Sequence, residues 1–102
     1  MPRPKTNHIL LYAASEADAD VLYATGFFCP DPFIFIKTAA GRRIFVMSDL
    51  EIDRARKQSN AHEVRSMSDY ANRAKERLGR APLPGDTIAE VLRDLRIRTV
   101  DV

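Results

Sequence analysis

The feature that most constrains the fold of this chain is a pair of short apolar runs separated by a turn. Residues 33–37 read Phe-Ile-Phe-Ile-Lys, and residues 43–47 read Arg-Ile-Phe-Val-Met. Both runs are rich in aromatic and β-branched side chains, and residues 39–42 supply a turn that contains Gly41. The first run is continuously apolar rather than alternating, which is typical of a strand covered on both faces. The sequence therefore predicts a β-hairpin packed on both sides.

The segments around this hairpin predict an α/β domain of about five strands and about four helices. The remaining strand candidates are short runs at residues 8–13, 62–66 and 99–102. The clearest helix is the last one, in which the apolar positions follow the i, i+3, i+4, i+7 pattern of an amphipathic helix: Ile88, Val91, Leu92 and Leu95. Residues 1–7 are expected to form an arm, and residues 8–102 the domain.

Local signals predict where the helices begin. Ser15 is the expected N-cap of the first helix, with Asp18 three residues on, and Gly26 is expected to end it in left-handed geometry. Ser48 and Glu51 form a capping box at the start of a second helix, which runs to about residue 59. The third and fourth helices are expected to open at Ser68 and at Asp86 or Thr87.

Composition limits the class of protein. A length of 102 residues suits one domain. The net charge is only +2, and basic residues are interleaved with acidic ones, so no nucleic-acid partner is expected. No stretch approaches the ~20 apolar residues of a membrane span, so no membrane partner is expected either. Cys29 is the only cysteine, which excludes an internal disulfide and favours a cytoplasmic location.

Three carboxylates at the start of the second helix are the most obvious candidate for metal chemistry. Asp49 and Asp53 are four residues apart and share a helix face with space for a hard cation such as Mg²⁺. The favoured interpretation is structural, because acids in the first turn stabilise a helix and Asp53 can pair with Lys57. Glu51 has the capping role described above.

The two histidines and the cysteine predict no site. His8 and His62 lack partners at metal-ligand spacing, apart from Glu63 beside His62. Cys29 has no second cysteine and no adjoining Lys or His to lower the pKa of its thiol, so a packed thiol is expected.

The connector before the hairpin is the best candidate for a contact surface. Its two prolines fix the backbone, and its phenylalanines are dense for a chain of this size. Core packing accounts for most of these rings, and the remainder can form an apolar patch that meets another domain or subunit. The candidate interdomain or dimer contacts are Phe27, Phe28, Pro30, Asp31, Pro32 and Phe33.

Three segments of the chain resemble a known family. They are SEADADVLYATGF at residues 15–27, PDPFI at residues 30–34 and SDLEIDRA at residues 48–55. Together they resemble the N-terminal domain of Xaa-Pro metallopeptidases, the family of aminopeptidase P, prolidase and creatinase. The resemblance extends over residues 8–102, with the predicted order strand, helix, hairpin, helix, strand, helix, helix and strand. It implies a ribonuclease-H-like three-layer α/β fold with a mixed sheet.

The resemblance also implies where the chemistry lies. In that family a C-terminal pita-bread domain supplies two Asp, one His and two Glu that hold two divalent metal ions, commonly Mn²⁺, Co²⁺ or Zn²⁺. None of these ligands maps onto this chain, so we expect no catalytic residue, metal ligand or cofactor in it and a catalytic domain beyond it. The expected roles here are homodimer contacts, contact with that catalytic domain, and a wall that limits substrate length.

Two other functions remain open. A stand-alone module of the same fold would bind a peptide or a protein, as noncatalytic relatives of the family do. A small metal-dependent nuclease would need acids such as Asp18, Asp49 and Asp53 to converge on a metal ion, and a ribonuclease-H-like fold does not by itself carry that activity.

Overall fold

The hairpin predicted over residues 33–47 is present in the structure, a computed structural model that describes residues 8–14 and 18–100. The arm at residues 1–7, Ser15 and residues 101–102 lie outside the described residues. The elements, in chain order, are β1 (Ile9–Ala13), α1 (Ala19–Thr25), β2 (Phe33–Lys37), β3 (Arg43–Met47), α2 (Asp49–Gln58), β4 (Glu63–Ser66), α3 (Met67–Leu78) and α4 (Pro84–Asp94).

The four strands form one mixed sheet in the order β1-β2-β3-β4. β2 pairs antiparallel with both β1 and β3, and Phe35 lies opposite Phe45. β4 pairs parallel with β3, which places Arg65 opposite Val46, and α2 makes the crossover between these two strands. Gly41 (φ 89°) closes the hairpin turn by donating its backbone N–H to the carbonyl of Thr38.

The side chains of β2 and β3 divide between two hydrophobic clusters because successive residues of a strand point to opposite faces. The first cluster holds the aromatic side chains, and α1 and α2 cover it with Val21 and Ala55. The second holds the isoleucines and Val46, and α3 and α4 cover it with Tyr70 and Val91. The sheet is therefore the middle layer between two helical layers, and the prediction that β2 is covered on both faces is confirmed.

Within the described residues the sheet has four strands, not five, and residues 101–102 of the predicted fifth strand lie outside that part of the chain. Thr99 and Val100 adopt no strand, and the Val100 side chain packs against the second cluster together with that of Leu95. The Val100 side chain is therefore partly buried without a strand partner. For this reason the short apolar run at residues 99–102 did not reliably predict a strand. The α/β class, the mixed sheet and the four helices are confirmed.

Several helix starts differ from the prediction because other residues satisfy the free N–H groups. Asp18, not Ser15, is the N-cap of α1, and its carboxylate accepts from the N–H groups of Asp20 and Val21. Ser66 caps α3. The fourth helix starts at Pro84, so that Asp86 lies inside its first turn and accepts from the N–H of Leu83.

Among the described helices, none has the length and the apolar composition needed to span a membrane.

Candidate functional site

The predicted contact loop, residues 27–33, is divided between the core and the surface. Phe27 and Phe33 are buried and pack edge to face, with ring centroids 6.4 Å apart. Both rings also pack against Phe45, at 6.5 and 5.5 Å. Cys29 is buried, and burial raises the pKa of its thiol above the ordinary value. These side chains are core residues of this domain, as expected for most of the phenylalanines.

The outer part of the loop is exposed. Phe28 keeps 53% of its surface accessible, and the side chains that follow it toward β2 are exposed as well: Pro30, Asp31 and Pro32. An apolar ring in this position is available to a partner, because it is not used by the domain's own core.

Arg54 of α2 holds this loop in place. Its guanidinium carbon lies 4.3 Å from the centroid of the Phe27 ring, and its Nη1 donates to the carbonyl of Phe28 over 3.0 Å. Glu51 fixes the same guanidinium, accepting from its Nε at 2.9 Å. Leu50, one helical turn before Arg54, is 92% exposed. We call Phe28, residues 30–32 and Leu50 the apolar patch, because Leu50 is exposed one helical turn from the arginine that binds the loop. Leu50 was not among the contact residues predicted from the sequence.

The predicted capping box of α2 does not form. Ser48 stands at the N-cap, but its hydroxyl is buried and has no hydrogen-bond partner among the described residues. The Glu51 carboxylate instead accepts from the guanidinium of Arg54.

The acids considered for a metal site have separate partners. Asp49 accepts from the hydroxyls of Ser66 and Ser68, which ties the start of α2 to the start of α3. Asp53 lies 3.9 Å from Arg56 rather than pairing with Lys57 as predicted. Asp18 caps α1. Across residues 8–14 and 18–100, no group of three or more His, Cys, Asp or Glu side chains could hold a metal ion.

Both histidines are used at the ends of the hairpin. Nδ1 of His8 accepts from the backbone N–H of Ala39 at 3.0 Å. Nδ1 of His62 accepts from the N–H of Arg43 at 2.9 Å. Each histidine therefore extends the hydrogen bonding of the sheet beyond its last strand pair.

A network of charged side chains that sequence reasoning did not find joins β4 to the helical hairpin α3–α4. Asp94 accepts from Tyr70 at 2.7 Å and from Arg65 at 2.9 Å, and Arg73 lies 3.4 Å from its other oxygen. The hydrogen bond from Tyr70 lowers the pKa of Asp94 below its ordinary value, and Arg73 and Arg65 act in the same direction. Arg65 also donates to Glu63 at 2.6 Å. The network fixes α4 against the edge strand.

The contacts within the network keep Tyr70 and Arg65 protonated. Burial and the bond to Asp94 raise the pKa of Tyr70 above its ordinary value, so its hydroxyl stays a donor. Burial alone would lower the pKa of Arg65, but hydrogen bonds with Glu63 and Tyr70 outweigh it and raise that pKa.

A groove of about 670 Å³ continues from this network along α3 and α4. Four arginines and three carboxylates line it: Arg73, Arg77, Arg93, Arg96, Glu76, Glu90 and Asp94. We call it the arginine groove. Glu90 is only 6% exposed, and its Oε1 accepts from Nε of Arg77. That bond lowers the pKa of Glu90 below its ordinary value against the effect of burial.

The spacing of Arg73 and Arg77, one turn apart, indicates a basic stripe on α3, and Glu90 with Asp94 indicates an acidic stripe on α4. Only the packing of α3 against α4 brings the two stripes together.

The apolar patch and the arginine groove lie on opposite sides of the sheet. The patch adjoins α2, which covers the aromatic face, whereas the groove belongs to the α3–α4 layer.

No protein-family model, no curated protein and no solved structure matches this chain.

Proposed function

We propose that this chain is a noncatalytic N-terminal domain of a metal-dependent Xaa-Pro dipeptidase or aminopeptidase. In this role it supports dimerisation and restricts access to an active site on a separate catalytic domain. The proposal includes a ribonuclease-H-like fold and a cytoplasmic location. It rests on the resemblance of residues 15–27, 30–34 and 48–55 to that family.

The observation that carries the proposal is the apolar patch. Two of the three resembling segments, residues 30–34 and 48–55, meet at this patch, because Arg54 in one holds the loop that leads into the other. The patch offers an exposed ring at Phe28 and an exposed aliphatic side chain at Leu50 on backbone that Arg54 and two prolines hold in place. A preorganised apolar surface rimmed by polar groups is typical of a subunit or domain contact.

The two divalent metal ions of such an enzyme do not fit the described part of this chain, since no suitable cluster of ligand side chains is formed there. In the proposed protein the catalytic domain holds both ions and activates the water that attacks the peptide bond. The patch takes no part in bond cleavage, and its role is to position subunits and to exclude longer peptides from the entrance.

Dimerisation is tested with the chain in solution by analytical ultracentrifugation. We expect a dimer whose association is weakened at least about tenfold by Phe28→Asp, because a charge would be buried in an apolar contact. Tyr23→Asp is the control: Tyr23 is also an exposed aromatic residue, at 93% against 53% for Phe28, but it lies on α1, outside the patch, and should leave the dimer intact. A wild-type chain that stays monomeric at high concentration, or a Phe28→Asp dimer of unchanged affinity, contradicts the proposal.

The noncatalytic role is tested by an assay with Mn²⁺ and a dipeptide that ends in proline. We expect no turnover above buffer, and turnover that follows the protein through purification contradicts the proposal. The coding sequence downstream of residue 102 should then specify a domain with the two Asp, one His and two Glu ligands. A stop without such a domain would instead favour a stand-alone binding module that uses the same patch.

A further inference from the structure

We propose that the arginine groove binds a small phosphate-bearing molecule. This site is on the other side of the sheet from the apolar patch and does not depend on the peptidase proposal. It rests on three features of the groove: an arginine positioned by a buried acid, two arginines that form no salt bridge within residues 8–14 and 18–100, and a lining in which every described side chain is charged.

The floor of the groove is built around Glu90. This carboxylate is more than nine-tenths buried and accepts from Nε of Arg77, which fixes the plane of the guanidinium. About half of the Arg77 side chain is exposed. Its terminal amino groups are therefore held in position with access to the groove, and a guanidinium with fixed geometry can donate two parallel bonds to a phosphate.

Arg93 and Arg96 supply charge that no side chain in the described part of the chain neutralises through an ion pair. Neither forms a salt bridge with any side chain of residues 8–14 or 18–100, whereas Arg73 is paired with Asp94 and Arg77 with Glu90. Arg93 contributes electrostatically to lowering the pKa of Glu90, but no carboxylate contacts it within ion-pair distance in that part of the chain.

The backbone at Arg96 adds an independent reason to assign its side chain a role. Arg96 follows α4 with φ 58°, in the left-handed region that favours glycine. The corresponding residues after α1 and α3 are Gly26 and Gly79. Arg96 is therefore a less stable choice for ending a helix, and its exposed side chain lines the groove.

The lining selects among anionic ligands. The seven described residues that line the groove are all charged, so this part of the chain offers no apolar side chain to anchor a peptide and no aromatic ring on which a nucleic-acid base could stack. With four arginines against three carboxylates, the described lining has little net positive charge, which suits one small phosphate group and not the many phosphates of a nucleic-acid backbone. A volume of about 670 Å³ is that of a small-molecule site, and one phosphate group matches the two arginines that lack a salt bridge.

The test is isothermal titration calorimetry of the wild-type chain with pyrophosphate at low salt. We expect saturable binding with one site. Arg96→Gly should weaken it roughly tenfold while the protein stays folded, since loss of one charge-assisted contact has about that effect and glycine suits the backbone there. Arg93→Ala should have a similar effect. Lys57→Ala removes the same charge from the exposed side of α2 and should leave the affinity unchanged.

Three outcomes overturn the proposal. The first is that calorimetry detects no saturable binding of pyrophosphate at concentrations up to about 10 mM. The second is equal weakening by Lys57→Ala and Arg96→Gly, which indicates attraction to overall charge. The third is tighter binding of succinate or of a glutamate-rich peptide than of pyrophosphate, which indicates a carboxylate or protein partner. Because Arg96 and Phe28 lie on opposite sides of the sheet, failure here leaves the dimer test unaffected.

Discussion

At the residue scale, Arg96 adopts a left-handed backbone conformation (φ 58°) that glycine usually occupies at the end of a helix. The end of α4 is a Schellman motif: the N–H of Ile97 donates to the carbonyl of Leu92, and the N–H of Arg96 to that of Arg93. This motif needs a left-handed residue, and a side chain there contacts its own backbone unfavourably. The hydrogen bonds of the motif and the burial of Ile97 hold Arg96 in that conformation.

Arg96→Gly should therefore raise the free energy of unfolding by about 1 kcal/mol, the usual penalty for a side chain in the left-handed region. Urea denaturation followed by circular dichroism measures the change. Arg98→Gly is the control, because Arg98 is exposed and has an ordinary φ, and it should be neutral or slightly destabilising. A loss of stability in Arg96→Gly would show instead that the arginine side chain stabilises the fold.

Three carboxylates of α4, Asp86, Glu90 and Asp94, have a lowered pKa and should make stability depend on acid pH. The pKa values of Glu90 and Asp94 are lower in the folded chain than their ordinary values, because Arg77 and Tyr70 donate hydrogen bonds to them. The folded state therefore gains stability that is complete above the ordinary carboxyl range, near pH 4, and is lost as pH falls through the lower folded values.

Unfolding by urea at a series of pH values measures this dependence. Stability should fall steeply below about pH 4, and Glu90→Gln should make that fall shallower because one of the linked protons is removed. Asp53→Asn, at a side chain 90% exposed, is the matched control for the loss of one carboxylate. A Glu90→Gln slope equal to that of the wild type would show that Glu90 binds its proton equally in both states.

At the element scale, helix starts depend on more than the type of residue at the N-cap. Asp18 and Ser48 are both good N-cap residues, yet only Asp18 accepts from the backbone of its helix. The Ser48 hydroxyl is enclosed at the end of β3, where no partner is within reach among the described residues. The strand before α2 sets the direction in which the Ser48 side chain points, so the local signal is present without its hydrogen bond.

Asp18→Ala should lower the free energy of unfolding by about 1 kcal/mol, because two N–H groups at the start of α1 lose their acceptor. Ser48→Ala should be neutral or slightly stabilising, since it removes a buried hydroxyl that has no partner. The two variants form a matched pair, measured by urea denaturation. Equal losses in both would show that Ser48 caps α2 in solution.

At the scale of the whole molecule, the cluster of aromatic side chains on one face of the sheet joins several elements. Phe45 is fully buried in the middle strand pair, and its ring packs against three others at centroid distances of 5.5 to 6.5 Å: Phe27, Phe33 and Phe35. It thus connects β2 and β3 with the loop that leads out of α1. Aromatic pairs of this kind contribute beyond the area that they bury.

Phe45→Ala should lower the free energy of unfolding by about 3–5 kcal/mol through lost burial and the cavity left behind. Thermal unfolding followed by circular dichroism measures the loss. Phe28→Ala is the matched control in the apolar patch, and its loss should stay below about 1 kcal/mol in the monomer because half of that ring is already in water. Similar losses in the two variants would place Phe28 in the core.

The sequence by itself determined the features that depend on neighbouring residues. Residues 33–47 predicted the hairpin because strand periodicity and turn chemistry are local, and Gly26 predicted the end of α1 because only glycine adopts φ 62° freely. The amphipathic spacing of Ile88, Val91, Leu92 and Leu95 predicted α4 and the face that it buries. The loop that carries Phe28 could also be predicted as a surface candidate, since its prolines exclude regular structure.

Only the tertiary structure decided which residues of that loop are buried, that Arg54 binds the loop one turn from the exposed Leu50, and that Val100 packs without joining a strand pair within the described residues. It alone brought Arg77 of α3 to Glu90 of α4, and Arg65 of β4 to Asp94. These contacts join residues 13 and 29 positions apart. No local pattern encodes them, because the free energy of each depends on how helices and sheet pack and on the burial that this packing creates.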